Sequence, residues 1–235
     1  MDTELTAAVV PILHAVTNDE IVGRATFLDR ARTVMRALGE RGALQLRAPR
    51  MAHRESSKFV ELALTLAEEQ ARTGAWLVVN DRVDVALIVC ARGVQLTARS
   101  LGVADAVRVL VERAAECGGD PHAAVGASLH SLEEGIAARL AGATWGVVSD
   151  VLEPHTLPAD AANSGRSNGP ALLDRLVRFS GIPIIAIGGI VPQHVGPLRR
   201  VGVRGVAAIR GIWDADDSER AVTDYLSAYD TAVGR

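Results

Sequence analysis

Eight short β-branched runs, each followed by a stretch rich in Ala, Leu, Glu and Arg that is long enough for a helix, constrain the fold of this chain more than any other feature. The runs are Ile12 to Val16, Ala43 to Leu46, Trp76 to Asn80, Gly93 to Leu96, Ala124 to Ser128, Trp145 to Val151, Pro183 to Ile187 and Gly205 to Ile209. The segments between them carry helical apolar spacing, as in Phe59, Leu62, Ala63 and Leu66, or Val107, Leu110, Val111 and Ala114. Eight βα units in 235 residues describe an α/β protein of the (β/α)8 TIM-barrel class, whose strands need near-continuous apolar runs because helices cover them on the outside. The competing fold, a doubly wound open sheet, would carry a G-x-G-x-x-G turn after its first strand, where this chain has Thr17-Asn18-Asp19-Glu20. No linker of shifted composition divides the chain, so residues 1–235 read as one barrel domain. The least regular stretch, Glu153 to Gly169, reads as a long loop after strand six: a lid over the active face or a variable insertion.

Composition excludes several classes of function. Acidic residues (28) and basic residues (25) are spread throughout, so no run approaches the roughly 18 uncharged apolar residues of a membrane span. The first ten residues show an early acid pair and no basic-then-apolar signal, so export is not expected. A net charge of -3 gives no electrostatic case for nucleic acid. Cys90 and Cys117 have no CxxC partner and no nearby His cluster, which indicates neither a disulfide framework nor a zinc site and makes a reducing cytoplasm the natural compartment. Lys58 is the only lysine, and it stands at the start of a helix rather than the end of a strand, which sets Schiff-base chemistry aside.

Barrel enzymes carry catalytic groups at the C-terminal ends of their strands and often bind phosphate after strands seven and eight. Ile187-Gly188-Gly189-Ile190 and Ile209-Arg210-Gly211-Ile212 stand at those two places. Glycine permits close backbone approach to an anion, an adjacent helix N-terminus adds a favourable dipole, and Arg210 adds a charge-assisted donor. Gln45 and Arg47 share one side of strand two by alternation, strand three ends Asn80-Asp81, strand four carries Gln95, and strand five ends Ser128-Leu129-His130. Together these make a polar ring around the mouth, although Gln95 taken singly reads as a satisfied polar residue of a barrel layer. His130 precedes a capping-box pattern, Ser131-Leu132-Glu133-Glu134, whose helix N-terminus favours the neutral imidazole needed for proton transfer. His155 is a weaker second candidate, and His14, His53, His122 and His194 read as structural or solvated. Trp213, just past strand eight, is the best-placed aromatic for stacking on a substrate.

With these residues assembled, the chain resembles the thiamine phosphate synthase and TenI family of (β/α)8 barrels from about Ile12 to Asp217. The resemblance rests on Gln45-Leu46-Arg47, on Asn80-Asp81-Arg82-Val83-Asp84-Val85-Ala86, on Gly93-Val94-Gln95-Leu96, on Gly126 to Glu134, and on Pro183 to Ile190. The synthase branch joins a pyrimidine pyrophosphate to a thiazole phosphate with Mg2+. Against its pattern, Pro49 stands in the place of a lysine, Ser100 in the place of an acidic residue, and Pro154-His155-Thr156-Leu157 lacks a second lysine, leaving Asp81 as the one metal carboxylate. The TenI branch resembles a thiazole tautomerase, which needs neither pyrophosphate nor metal. The resemblance therefore implies an isomerase acting on a thiazole carboxylate phosphate, without a cofactor, through proton transfer by His130. The substrate contacts it implies are Gln45, Arg47, Asn80, Gln95, Ser128, Thr156, Gly188, Gly189, Ile209, Arg210 and Gly211. The alternatives are the Mg2+-dependent synthase, with Asp81 on the metal and arginines such as Arg50 and Arg99 substituting for lysines, and a catalytically idle barrel that binds a phosphorylated thiazole. The sequence leaves the oligomeric state open, a homodimer included.

Overall fold

The computed structural model of the chain describes residues 10–117, 124–152 and 169–232. Eight parallel strands close into a barrel in sequence order: β1 (Leu13–Val16), β2 (Gly42–Leu46), β3 (Trp76–Asn80), β4 (Gly93–Leu96), β5 (Ala124–Ser128), β6 (Trp145–Val148), β7 (Ile184–Ile187) and β8 (Gly205–Ala208). Strand β8 pairs back onto β1 with Ala207 opposite His14. This is the TIM barrel that the alternation of runs predicts. The helices are α1 (Asp19–Val22), α2 (Phe27–Leu38), α3 (Pro49–Arg54), α4 (Ser56–Thr73), α5 (Val83–Ile88), α6 (Val103–Cys117), α7 (Leu132–Leu140), α8 (Gly169–Phe179), α9 (Pro192–Arg200), α10 (Arg210–Trp213) and α11 (Ser218–Thr231).

The strands are mostly apolar because each buries both faces, and the polar residues they do carry, His14, Gln45, Asn80 and Gln95, are buried as well. Leu44, Leu46, Leu77, Val79 and Val94 belong to the outer core shared with the helices, while Val16, Ala43, Trp76, Val78, Trp145, Ile185 and Ala207 form a second cluster inside the barrel. The helices contribute one stripe each. On α2 it is Phe27, Ala31, Val34, Met35 and Leu38, and α11 packs against both α2 and α9, so the last helix completes the ring beside the first. Helix α4 ends at Gly74, whose φ of 75° is the left-handed cap conformation and whose N–H donates to the Gln70 carbonyl at 3.0 Å.

Inside the barrel, Trp145 spans the space beneath the mouth. Its indole N–H donates to Gln95 Oε1 at 2.9 Å, and its ring meets the His14 ring edge-on at a centroid distance of 5.8 Å. Room for it comes from β5: a Cβ on Gly126 would lie 2.2 Å from the indole. The glycine on one strand and the tryptophan on the next are thus a single packing decision.

The observed strands end more sharply than the runs suggest. β6 stops at Val148 rather than Val151 because the chain turns out at Asp150, which has a left-handed φ of 56°. β7 starts at Ile184, since Pro183 has no N–H for the ladder. β8 stops at Ala208, where Ile209 turns into α10 with ψ -89°. The expected long loop lies outside the described residues except for Gly169, which opens α8. Among the described residues, no helix is long and apolar enough to cross a membrane.

Candidate active site

The C-terminal ends of the strands gather most of the predicted residues at one mouth, and hydrogen bonds order them. Gln45 Nε2 donates to Asn80 Oδ1 at 2.7 Å, and Asn80 Nδ2 donates to Asp81 Oδ2 at 2.6 Å, so a polar relay runs from β2 across β3. The other carboxylate oxygen of Asp81 accepts from the Thr97 N–H at 3.2 Å, from Thr97 Oγ1 at 2.8 Å and from Ser100 Oγ. Asp81 holds a φ of 63°, a conformation that costs a non-glycine residue energy and recurs at functional sites. Ser100 therefore sits against Asp81 as a donor, in the place where the family pattern has an acidic residue.

A single carboxylate suits Mg2+, which is commonly bound by one or two carboxylates together with substrate phosphates and water. Asp81 Oδ1 is fully engaged, whereas Oδ2 accepts one hydrogen bond and keeps a lone pair, so this oxygen fits as the protein ligand of an ion carried on a pyrophosphate. No group of three His, Cys, Asp or Glu side chains is arranged to hold a metal by itself among the described residues.

Arg47 stands exposed just past β2, and its main chain is pinned by buried Thr17: Thr17 Oγ1 donates to the Arg47 carbonyl at 3.0 Å and accepts from the Arg47 N–H at 2.9 Å. Pro49 opens α3, where proline costs no helix hydrogen bond, and Asp19 Oδ1 accepts from the Arg50 and Met51 N–H groups at 2.9 and 3.0 Å. Arg82 and Asp84 serve the scaffold: they pair at 2.7 Å, and Arg82 also donates to the Ala52 carbonyl on α3 at 2.8 Å. The hydrogen bond from Arg82 holds the Asp84 carboxyl below its ordinary range.

Gln95 is buried beneath the mouth with both ends of its amide engaged, Oε1 by Trp145 and Nε2 by the Leu96 carbonyl at 3.2 Å and Ser128 Oγ at 3.4 Å. Ser131 caps α7 as expected, accepting from the Glu134 N–H at 3.1 Å. The Glu134 carboxylate then turns back to His130, accepting its backbone N–H at 2.7 Å and lying 3.3 Å from ring Nδ1. The imidazole is therefore partnered by a carboxylate, not by the helix N-terminus, and its side chain is 62% exposed. It lines a cleft of about 410 Å3 with Thr97, Ser100, Leu101, Ser128 and Glu134.

Across the barrel from this half lie the two glycine turns. Gly188 has φ 120° and abuts the chain leaving β6, with a Cβ there falling 2.9 Å from the Asp150 N. Gly189 has φ 61° and faces open space. After β8, Ile209 is half-buried, and Arg210 and Gly211 are exposed. Helix α10 is a single turn, so the expected dipole contribution there is small, and Gly211 has a packing reason of its own: a Cβ would lie 2.3 Å from Tyr225 Oη. That hydroxyl donates to the Ile190 carbonyl at 2.7 Å, and burial pushes its pKa up to about 12, keeping it a donor at neutral pH.

The remaining aromatic and histidine candidates fall away from the mouth. Trp213 is fully buried against Phe27, at a ring distance of 5.5 Å, so it cannot stack on a substrate as the sequence suggests. His14 is fully buried inside the barrel, and His194 Nδ1 accepts from the Val191 N–H at the start of α9. Thr156 and His155 lie outside the described residues. Sequence reasoning missed Asp150, Thr17 and Tyr225. The Asp150 turn falls on the polar pair Ser149-Asp150, the signal that could have ended the run at Val148 instead of Val151, and Tyr225 belongs to the amphipathic stripe of α11.

Comparison with known proteins agrees with this geometry. The thiamine monophosphate synthase family profile matches residues 13–212. A thiamine-phosphate synthase from Methanoculleus marisnigri is 31% identical over 220 residues, covering 92% of this chain and 95% of the relative. A bifunctional thiamine biosynthesis protein from Symbiobacterium thermophilum is 36% identical over 175 residues, which are 74% of this chain but 34% of that longer protein. Among solved structures, thiamine phosphate pyrophosphorylase from Pyrococcus furiosus superposes with a TM-score of 0.74 at 28% identity, covering 95% of this chain and 97% of that one. The expected isomerase is corrected by these findings. The relatives that match nearly end to end are named as synthases, which are transferases, and not as tautomerases.

Proposed function

The chain belongs to the thiamine monophosphate synthase family, and we propose on that premise that it is a transferase joining a pyrimidine pyrophosphate to a thiazole phosphate. The observation that carries this reading is the nearly end-to-end match to a thiamine-phosphate synthase. The layout of the mouth supports it. Two phosphorylated substrates need two anion-receiving regions, and the relay Gln45–Asn80–Asp81 with Arg47 lies on β2 and β3, while the glycine turns follow β7 and β8.

In this reaction the thiazole nitrogen lone pair forms a C–N bond to the pyrimidine methylene carbon. The C–O bond to pyrophosphate breaks with its electron pair going to the leaving oxygen, and the nitrogen ends with a positive charge. No proton moves, so the step asks the protein for orientation and charge stabilisation instead of acid–base chemistry. We assign Arg47, whose main chain is pinned by Thr17, to the pyrophosphate as a charged donor, and Gly188, Gly189 and Arg210 to the thiazole phosphate. Mg2+, when bound through Asp81 Oδ2, supplies counter-charge to the departing pyrophosphate. Thr97, Ser100 and Ser128 line the cleft beside His130, at the ends of β4 and β5.

The test is to incubate the purified protein with both substrates and Mg2+ and to follow thiamine phosphate and released pyrophosphate together. Equimolar appearance of both, abolished by a chelator, is the expected result. Failure to form thiamine phosphate at any Mg2+ concentration would overturn the assignment.

A further inference from the structure

We infer that Tyr225, on the last helix, is a positioning residue for phosphate recognition, clamping the turn after β7 to the turn after β8. The inference rests on the reading that these two turns hold the thiazole phosphate. One oxygen atom reaches both: Tyr225 Oη donates to the carbonyl of Ile190, the residue after Gly189, and lies 2.3 Å from where a Cβ of Gly211, the residue after Arg210, would stand. The ring is 2% exposed and packs in the outer core on α11, so the hydroxyl is delivered from a rigid element.

The turn after β7 needs such an anchor. Gly189 has nothing within 4 Å of its missing side chain, whereas its neighbours are held, Gly188 by close approach to Asp150 and Ile190 by Tyr225. The glycine at 211 lets the phenol in, and the phenol fixes the carbonyl. Anion sites built from backbone and a flexible arginine gain affinity when their donors are held in place before the ligand arrives. Loosening the clamp therefore weakens the substrate whose phosphate is held there and leaves the other substrate untouched.

Tyr225→Phe removes only the hydroxyl. The expected result is a KM for thiazole phosphate raised about fivefold, with kcat and the KM for the pyrimidine pyrophosphate within about twofold. Gly211→Ala displaces the same hydroxyl, and once Tyr225→Phe has removed it the nearest remaining ring atom would be at an ordinary 3.4 Å. The double variant is thus expected to match Tyr225→Phe alone, about fivefold, rather than the roughly 25-fold of independent effects. If Gly211→Ala fails to fold by itself but folds when combined with Tyr225→Phe, the same coupling is demonstrated. Equal weakening of both substrates, or effects that multiply, would overturn the clamp while leaving the synthase reading intact. A wild type that binds no thiazole phosphate, measured calorimetrically, would overturn the phosphate assignment and the clamp with it.

Discussion

His14 sets a pH limit on the barrel whose size follows from its surroundings. Its side chain is fully buried, and neither ring nitrogen has a hydrogen-bond partner of acceptable geometry among the described residues. Burial pushes its pKa down from 6.5 to about 4, opposed only in part by the Pro11 carbonyl. The unfolded chain therefore binds a proton that the folded chain refuses, so the stability held by neutral His14 is complete above pH 6.5 and is lost as pH falls towards 4. A difference of about 2.5 pH units at 1.36 kcal/mol each amounts to about 3 kcal/mol, most of which is gone by pH 4.5. Replacement by leucine, of similar volume, removes this dependence and also the cost of the unpaired nitrogens, about 1–3 kcal/mol each before packing adjustments of up to about 1.5. Urea unfolding of wild type and His14→Leu at pH 7.5 and 4.5 separates the two effects, because the surface carboxylates titrate alike in both proteins. The variant should be at least as stable at pH 7.5 and should lose about 2–3 kcal/mol less on acidification. Parallel losses in the two proteins would refute the reasoning.

Two further outcomes follow from the barrel interior and the mouth. Gly126→Ala places a methyl group 2.2 Å from the Trp145 indole and 2.3 Å from Gln95 Oε1, so overpacking and loss of the Trp145–Gln95 hydrogen bond should together cost about 2–4 kcal/mol in urea unfolding. His130→Ala should leave thiamine phosphate formation within about threefold of wild type, because the displacement moves no proton. A loss of about a hundredfold, the lower range of general acid–base catalysis, would show that the imidazole acts in the chemistry.

The barrel is legible in the sequence because its physical requirement is local. A strand buried on both faces must be apolar over most of its length, and Trp76 to Val79 declares this without reference to any partner. The helix cap at Ser131 is legible for the same reason, since donor and acceptor are three residues apart. What escapes detection depends on approach between distant segments. Gly126 and Trp145 explain each other only once β5 and β6 are adjacent, and Tyr225 reaches a carbonyl 35 residues away. The direction in which His130 is held also depends on a choice between two local partners. The capping pattern offers both the helix dipole and the Glu134 carboxylate, and the imidazole takes the carboxylate.

The mistaken inference from the missing lysines has a different origin. It equates a residue type with the charge that the residue supplies. Pro49, in the place of one such lysine, begins α3, and the adjacent N–H groups are taken by Asp19, so that position serves a helix start. The positive charge at the mouth is carried by arginine, with Arg47 and Arg210 exposed at the ends of β2 and β8, Arg50 exposed beside Pro49 and Arg99 exposed beside Ser100. A guanidinium is always ionised and presents donors in a fork that matches phosphate oxygens, so it supplies the counter-charge a departing pyrophosphate requires. It does not supply a neutral amine. The lysine shortage accordingly bears on Schiff-base chemistry, which needs that amine, and has no bearing on pyrophosphate displacement, which needs only charge in the right place.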